Sequence, residues 1–201
     1  MTEHKSLPVL DFADAAAWRA WLDTHGATSG AVWLCFAKAG SGLTSVGKAE
    51  AIELALAYGW IDGQIDALDD KRWLTRFSRR GPDSRWSKIN RATAEKLIAA
   101  GRMTPAGLAE VERAKASGRW DTAYVSQKTA EPPDDLMAAL DAAPAAKAFF
   151  ATLTGANRYA VIYRVQDAKK PETRRARIEK FVAMLERGET LHPAKDKSGK
   201  A

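Results

Sequence analysis

The hydrophobic residues of this chain recur with two different periods, and each change of period marks a change of predicted element. Asp11 is placed to cap a first helix, in which Trp18, Trp21 and Leu22 recur at helical spacing before Gly26 stops it. Ala31 to Ala37 (AVWLCFA) is a continuous apolar run between Gly30 and a Gly40-Ser41-Gly42 turn, and reads as a buried strand. That turn lacks the spacing and the lysine of a phosphate-binding loop. Thr44 or Ser45 caps a second helix, with Ile52, Ala55 and Leu56 facing inward and Gly59 ending it.

The period then drops to two. Trp60 to Leu68 places Ile61, Ile65 and Ala67 opposite Asp62, Gln64 and Asp66, and Arg72 to Arg79 alternates again. A hairpin loop of residues 69–71 pairs Ile65 with Thr75, Ala67 with Trp73 and Gln64 with Arg76. A tighter loop would pair Ile65 with Leu74 and Asp62 with Phe77, mixing polar and apolar faces. The sorted register predicts a solvent face carrying Asp62, Asp66, Arg72 and Arg76 together.

From Ser87 onward the period is helical. Asn90 is placed to cap a helix running to Gly101, and Thr104-Pro105 opens another with Leu108 and Val111 inward and Gly118 as its stop. Val125 to Pro133 has linker composition. Beyond it, prolines 133, 144 and 171 start helices through Leu136 and Leu140, through Phe149, Phe150 and Leu153, and through Ile178, Phe181, Val182 and Leu185. Tyr159, Ile162 and Tyr163 mark one more. These elements predict an α+β protein: a small antiparallel β-sheet with flanking helices, followed by an all-helical C-terminal module. The expected divisions are an α+β domain over 1–125, a helical module over 134–190 and a disordered tail over 191–201.

Charge changes this picture more than composition does. The chain has 201 residues, 46% hydrophobic and 28% charged, as in an ordinary globular protein. Positions 1–70 carry four basic and ten acidic side chains. Lys71 to Arg102 then holds ten basic residues against Asp83 and Glu95, and residues 164–187 return to a net +4. Such clustering points to an anionic partner, nucleic acid or another polyanion, unless the two oppositely charged halves neutralise each other internally.

The candidate anion-binding residues are Arg79, Arg80, Arg85, Trp86, Ser87, Lys88, Asn90 and Arg91. Arginines there are interleaved with hydrogen-bonding groups and with a ring that either stacks on a ligand or packs beneath the loop. Lys169, Lys170, Arg174 and Arg177 form a second basic patch. Cations at a helix start oppose its dipole, so an anion or an acidic face is expected beside them; the acidic segment 1–70 is the internal candidate. An alternative reading makes Asp62 or Asp66 an acid/base on a phosphorylated or carboxylated small molecule clamped by arginines. A third makes the helical module a dock for another protein, which requires an exposed apolar patch on it.

Cys35, the single cysteine, cannot form an internal disulfide and reads as a small buried hydrophobe of a reducing compartment. His4, His25 and His192 are too scattered to form a metal site. No secretory signal and no run long enough to span a bilayer is visible, so the expected location is cytoplasmic. No catalytic residue, cofactor or metal is assigned, and the oligomeric state is left open.

Four runs together carry a resemblance: ALAYGWIDG (Ala55 to Gly63), RFSRRGPDSRWSKIN (Arg76 to Asn90), GRMTPAGLAEVERAKASGRW (Gly101 to Trp120) and AKKPETRRARIEKFVAML (Ala168 to Leu185). In this order they resemble the YdeI/OmpD-associated, bacteriocin-protection (OmdA-like) family. The resemblance implies a bacterial cytoplasmic protein with a C-terminal helical module, tied to tolerance of cationic antimicrobial peptides and envelope stress. It brings no reaction, cofactor or catalytic residue. The family often has Ser-Pro-Arg where this chain has Ser78-Arg79-Arg80, which frees the backbone and adds a cation.

Overall fold

A computed structural model describes residues 2–125, 127 and 130–193. The chain divides into two compact units, Met1–Ala123 and Tyr124–Ala201. The N-terminal unit contains strands β1 (Glu3–His4), β2 (Leu7–Asp11), β3 (Val32–Ala37), β4 (Trp60–Ala67) and β5 (Arg72–Arg79). Its helices are α1 (Ala15–His25), α2 (Lys48–Ala57), α3 (Lys88–Ala99) and α4 (Pro105–Ala116). The C-terminal unit holds α5 (Asp134–Asp141), α6 (Pro144–Thr152), α7 (Gly155–Gln166) and α8 (Pro171–Glu186). The architecture is therefore α+β, and the sheet is mixed, in the order β1-β2-β3-β5-β4.

The sheet differs from an all-antiparallel one because Leu7–Asp11 forms a strand that pairs parallel with β3. Helix α1 accordingly starts later than expected, capped by Asp14, whose side chain accepts from Ala17 N at 2.8 Å. Strands β1 and β2 are joined through Lys5 and Ser6, both at positive φ (48° and 62°). A two-residue hairpin loop demands such left-handed backbone. The residue pair gives none of the usual Asn-Gly signal, which is why this hairpin is not apparent in the sequence.

In the β4–β5 hairpin the expected register holds next to the loop, where Ile65 faces Thr75 and Ala67 faces Trp73. It breaks between Asp62 and Ile65: Asp62 pairs with Phe77, so Gly63 and Gln64 together oppose Arg76. One extra residue in a strand reverses every side chain beyond it. Asp62 thereby joins the face of Trp60 and Phe77, while Asp66, opposite Leu74, stays on the other. The expected ladder of Asp62, Asp66, Arg72 and Arg76 on one face does not form.

Both faces of the sheet are covered. One packs Val32, Leu34, Phe36, Trp60 and Phe77 against Trp18 and Leu22 of α1 and Ala51, Leu54 and Ala55 of α2. The buried indoles there are satisfied, with Trp18 Nε1 donating to Ala51 O at 3.1 Å and Trp60 Nε1 to Gly26 O at 2.9 Å. The second face buries Trp33, Cys35 and Leu74 with Leu7, Val9 and Leu68. It does so because the sheet curls until its first and last strands meet. His4 Nε2 lies 2.8 Å from Asp66 Oδ2, Lys5 Nζ lies 2.5 Å from the same oxygen, and the His4 ring stands edge-on to Trp33 at 5.2 Å.

A third cluster, with Leu56, Ala57, Trp86, Leu97, Val111 and Trp120, joins α2, α3 and α4. Helix α3 is capped by Ser87, three residues before Asn90, with Ser87 Oγ accepting from Asn90 N at 3.1 Å. Helix α2 begins after Gly47, not at Thr44 or Ser45. Leu108, expected to face inward, is 39% exposed, and the inward positions of α4 are Gly107, Val111 and Ala114. The reason is proximity: a Cβ on Gly107 would lie 2.2 Å from Ala57 O. Thr104 anchors the same carbonyl with its N–H (3.0 Å) and its hydroxyl (2.8 Å). In the C-terminal unit, one core of Leu136, Leu140, Phe150, Ile162, Val165, Phe181 and Leu185 joins all four helices. The expected disordered tail falls, from residue 194 onward, outside the described residues.

Two substitutions test these contacts. Gly107→Ala would gain about 1 kcal/mol at an exposed helix position. Here it is expected to cost about 2 kcal/mol, because the methyl group meets backbone that cannot give way; chemical denaturation measures the sign. Asp66 is held down to about 2, against an ordinary 3.8, first by the Lys5 hydrogen bond and then by His4. A carboxylate whose pKa is lowered by folding adds stability above its unfolded value and loses it as pH falls through the folded one. Urea midpoints are therefore expected to drop between pH 3.8 and about 2, and Asp66→Asn should remove that part of the decline.

Candidate functional site

The basic stretch is split by the fold into side chains with different tasks. Arg79, at the end of β5, is exposed and donates from Nη1 to Ala27 O at 2.7 Å. Arg80 is 5% exposed and lies flat on the Trp86 ring, 3.7 Å from its centre, with Nη1 donating to Arg85 O at 3.2 Å. Trp86 is 2% exposed and packs edge-on against Trp120. Its ring is core beneath the loop and is not offered to a ligand. Ser87 is spent on the helix cap. Arg91 donates to Trp120 O at 3.1 Å and pairs with Glu95 at 3.3 Å.

The remaining cations stand outward. Arg85 and Lys88 are exposed, the latter in the first turn of α3, which contains Lys88, Asn90 and Arg91 and no acidic residue. Arg72 pairs with Asp69 and Arg102 with Glu53. Among the described residues, Lys71, Arg76, Arg79, Lys88 and Lys96 have no carboxylate within 4.0 Å. The acidic segment 1–70 thus neutralises only part of the block.

The second basic patch has an internal explanation. Arg174 grips Asp135 with Nε (2.5 Å) and Nη2 (2.8 Å), and donates from Nη1 to Val165 O at 3.0 Å. Arg177 donates to Arg164 O at 2.5 Å and lies 3.8 Å from Asp167. Two arginines at the start of α8 therefore serve carbonyls in the last turn of α7, where backbone acceptors lack helical partners and the dipole is negative. Their carboxylate partners come from α5 and the end of α7, not from segment 1–70. The Arg174 guanidinium holds the Asp135 carboxyl below its usual range. Lys169 and Lys170 are exposed and take no part.

Asp62 and Asp66 lie on opposite faces of the sheet, and Asp66 already receives His4, Lys5 and the Ala67 N–H. Among the described residues the exposed large hydrophobic side chains are Leu43, Ile65, Ile89, Ile98 and Leu108, all in the N-terminal unit. Burial, with Asp11 nearby, pushes the Cys35 thiol up, so it is a poor nucleophile. Among the described residues no cluster of His, Cys, Asp or Glu is arranged to hold a metal, and no helix is long and apolar enough to cross a membrane.

One concave feature is not apparent in the sequence. A groove of about 930 Å³ runs between the end of α1 and one face of α4, with Gly26 and Gly59 in its floor. Its polar lining residues are Asp23, Tyr58, Arg79, Arg80, Thr104, Glu110 and Arg113. The Tyr58 hydroxyl donates to Asp23 Oδ1, and burial together with that bond pushes the phenol up to about 12. Arg113 Nη1 donates to Glu110 Oε2 at 2.9 Å. Four separate segments supply the lining, so no local motif announces it; a glycine inside the predicted α4 was the available signal of close approach.

The internal role of Arg174 is testable. Arg174→Ala is expected to cost about 1–3 kcal/mol, since it strips a charged acceptor and a helix-end carbonyl of their donor. Lys169→Ala and Lys170→Ala should leave thermal unfolding unchanged.

Comparison with known proteins places both units. Residues 10–110 match the model of a domain of unknown function (DUF8412). Residues 129–188 match the family described as Bacteriocin-protection, YdeI or OmpD-Associated. No curated protein and no solved structure matches the chain. The first match covers half of the sequence and the second most of the helical unit, so the chain belongs to the DUF8412 family and carries the module of the bacteriocin-protection, YdeI or OmpD-associated family at its C-terminal end.

Proposed function

We propose that this is a non-catalytic binding protein of the bacterial cytoplasm, acting in tolerance of antimicrobial-peptide and envelope stress by holding an anionic partner, nucleic acid or another polyanion. The binding surface is the loop and first helical turn from Arg79 to Arg91, with Arg79, Arg85 and Lys88 making contact. Arg80, Trp86, Ser87 and Asn90 set the loop and the helix start behind them.

One observation carries the reading. Helix α3 opens with cations and without an acid, an arrangement that opposes its own dipole by about 0.3–1 kcal/mol per charge. In α8, where Glu172 already stands in the first turn, Arg174 and Arg177 are answered by internal carboxylates and carbonyls. In α3, Arg91 has Glu95, but Lys88 has no carboxylate within reach among the described residues. An external anion at the free N–H groups of that turn supplies the missing charge. The buried free thiol of Cys35 supports a reducing compartment.

The test is fluorescence anisotropy with a labelled single-stranded oligonucleotide, and with heparin as a competitor, across a series of salt concentrations. Affinity should fall linearly on a log–log plot, with a slope of about 0.7 for each phosphate neutralised. A variant with Arg79, Arg85 and Lys88 all changed to alanine should bind about ten-fold or more weakly at low salt. Absence of binding to both polyanions at low salt sinks the proposal.

A further inference from the structure

We propose that the groove between α1 and α4 binds a small zwitterion, a molecule that presents a carboxylate and an ammonium group together, such as a dipeptide. This site shares Arg79 with the proposed polyanion surface, but it does not depend on polyanion binding.

Some charges in the groove are already cancelled and others are not. Arg113 and Glu110 satisfy each other at 2.9 Å. Arg79 is held by a neutral group, the Ala27 carbonyl, so its position is fixed while its charge is not compensated. The remaining edge of such a guanidinium is a planar fork suited to a carboxylate. Asp23 is likewise fixed by a neutral group, the Tyr58 hydroxyl, and among the described residues no cation lies within 4.0 Å of it. Arg80 also lines the groove but is 5% exposed and turned onto the Trp86 ring, so among the exposed charges one of each sign is left over. A polyanion in the groove meets Asp23 as a like charge, and a polyamine meets Arg79 in the same way. Only a ligand bearing both signs answers both groups.

Shape agrees with this assignment. The floor stays flat because its glycines admit no side chain: Gly59 has φ +78°, and a Cβ there would lie 3.1 Å from Ala106 O. Pro105, Ala106 and Ala109 give the wall an aliphatic surface for the body of the ligand. The volume lies within the range of small-molecule sites.

The experiment titrates L-alanyl-L-alanine into the ¹⁵N-labelled full chain and follows the amide signals of Gly26, Ala27, Gly59 and Ala106. Saturable shifts confined to these residues are expected. N-acetylated and C-amidated forms of the dipeptide, each lacking one charge, should bind at least about ten-fold more weakly, the effect of removing one charged partner. Arg79→Gln and Asp23→Asn should each abolish saturation. Ala109→Trp, at an exposed helix position, should block the groove while leaving polyanion binding intact, and Lys88→Ala should do the reverse. No saturable shift at millimolar dipeptide overturns the proposal. Binding of the acetylated and amidated forms as tightly as the free dipeptide overturns it as well.

Discussion

The carboxylate of Asp66 holds the two ends of the sheet together, and much of the N-terminal unit depends on that. A five-stranded sheet with helices on one side leaves its other side wet unless something covers it. Here the cover is the sheet's own curl: the last strand in order presents Asp66, and the first strand brings His4 and Lys5 to it. With the curl in place, Trp33, Cys35 and Leu74 are sealed beneath Leu7, Val9 and Leu68. The irregularity at Gly63 and Gln64 makes this geometry accessible, since a bulge raises local twist and re-aims the side chains that follow.

A second constraint operates at the end of α2. The Ala57 carbonyl takes two hydrogen bonds from Thr104 and lies against Gly107, which seats α4 as close to α2 as two backbones permit. That seat brings Glu110 and Arg113 beside Gly59, and so creates the groove. Binding geometry in this protein therefore originates in small residues of packed elements, while the conspicuous arginines of the 79–91 stretch divide between structure and surface. Arg80 and Arg91 stabilise the turn and the helix behind it, and Arg79 and Lys88 remain available.

The legibility of the sequence followed the range of the interactions. Helices with prolines at their starts and glycines past their ends were apparent, as was β3, whose apolar run needs no partner to identify it. The hairpin register was correct where a short loop dictated it and failed where Gly63 and Gln64 inserted a residue, a change no local pattern specifies. Strand β2 was missed because LPVLD is short, contains a proline and pairs with residues more than twenty positions away. The same limit applies to the sites. The basic block was evident as composition, but its sorting into Arg80 on Trp86 and Arg174 on Asp135 depends on contacts across the fold. The groove, drawn from four segments, left only the unexplained glycine in α4 as a trace.

The tie between His4 and Asp66 spans 62 positions of sequence. During synthesis the β1–β2 hairpin leaves the ribosome well before the strand that receives it, and until then its left-handed Lys5–Ser6 turn has no counter-charge to rest on. Strand β2 can pair with β3 earlier, but the tie that closes the sheet has to wait until residue 66 is available.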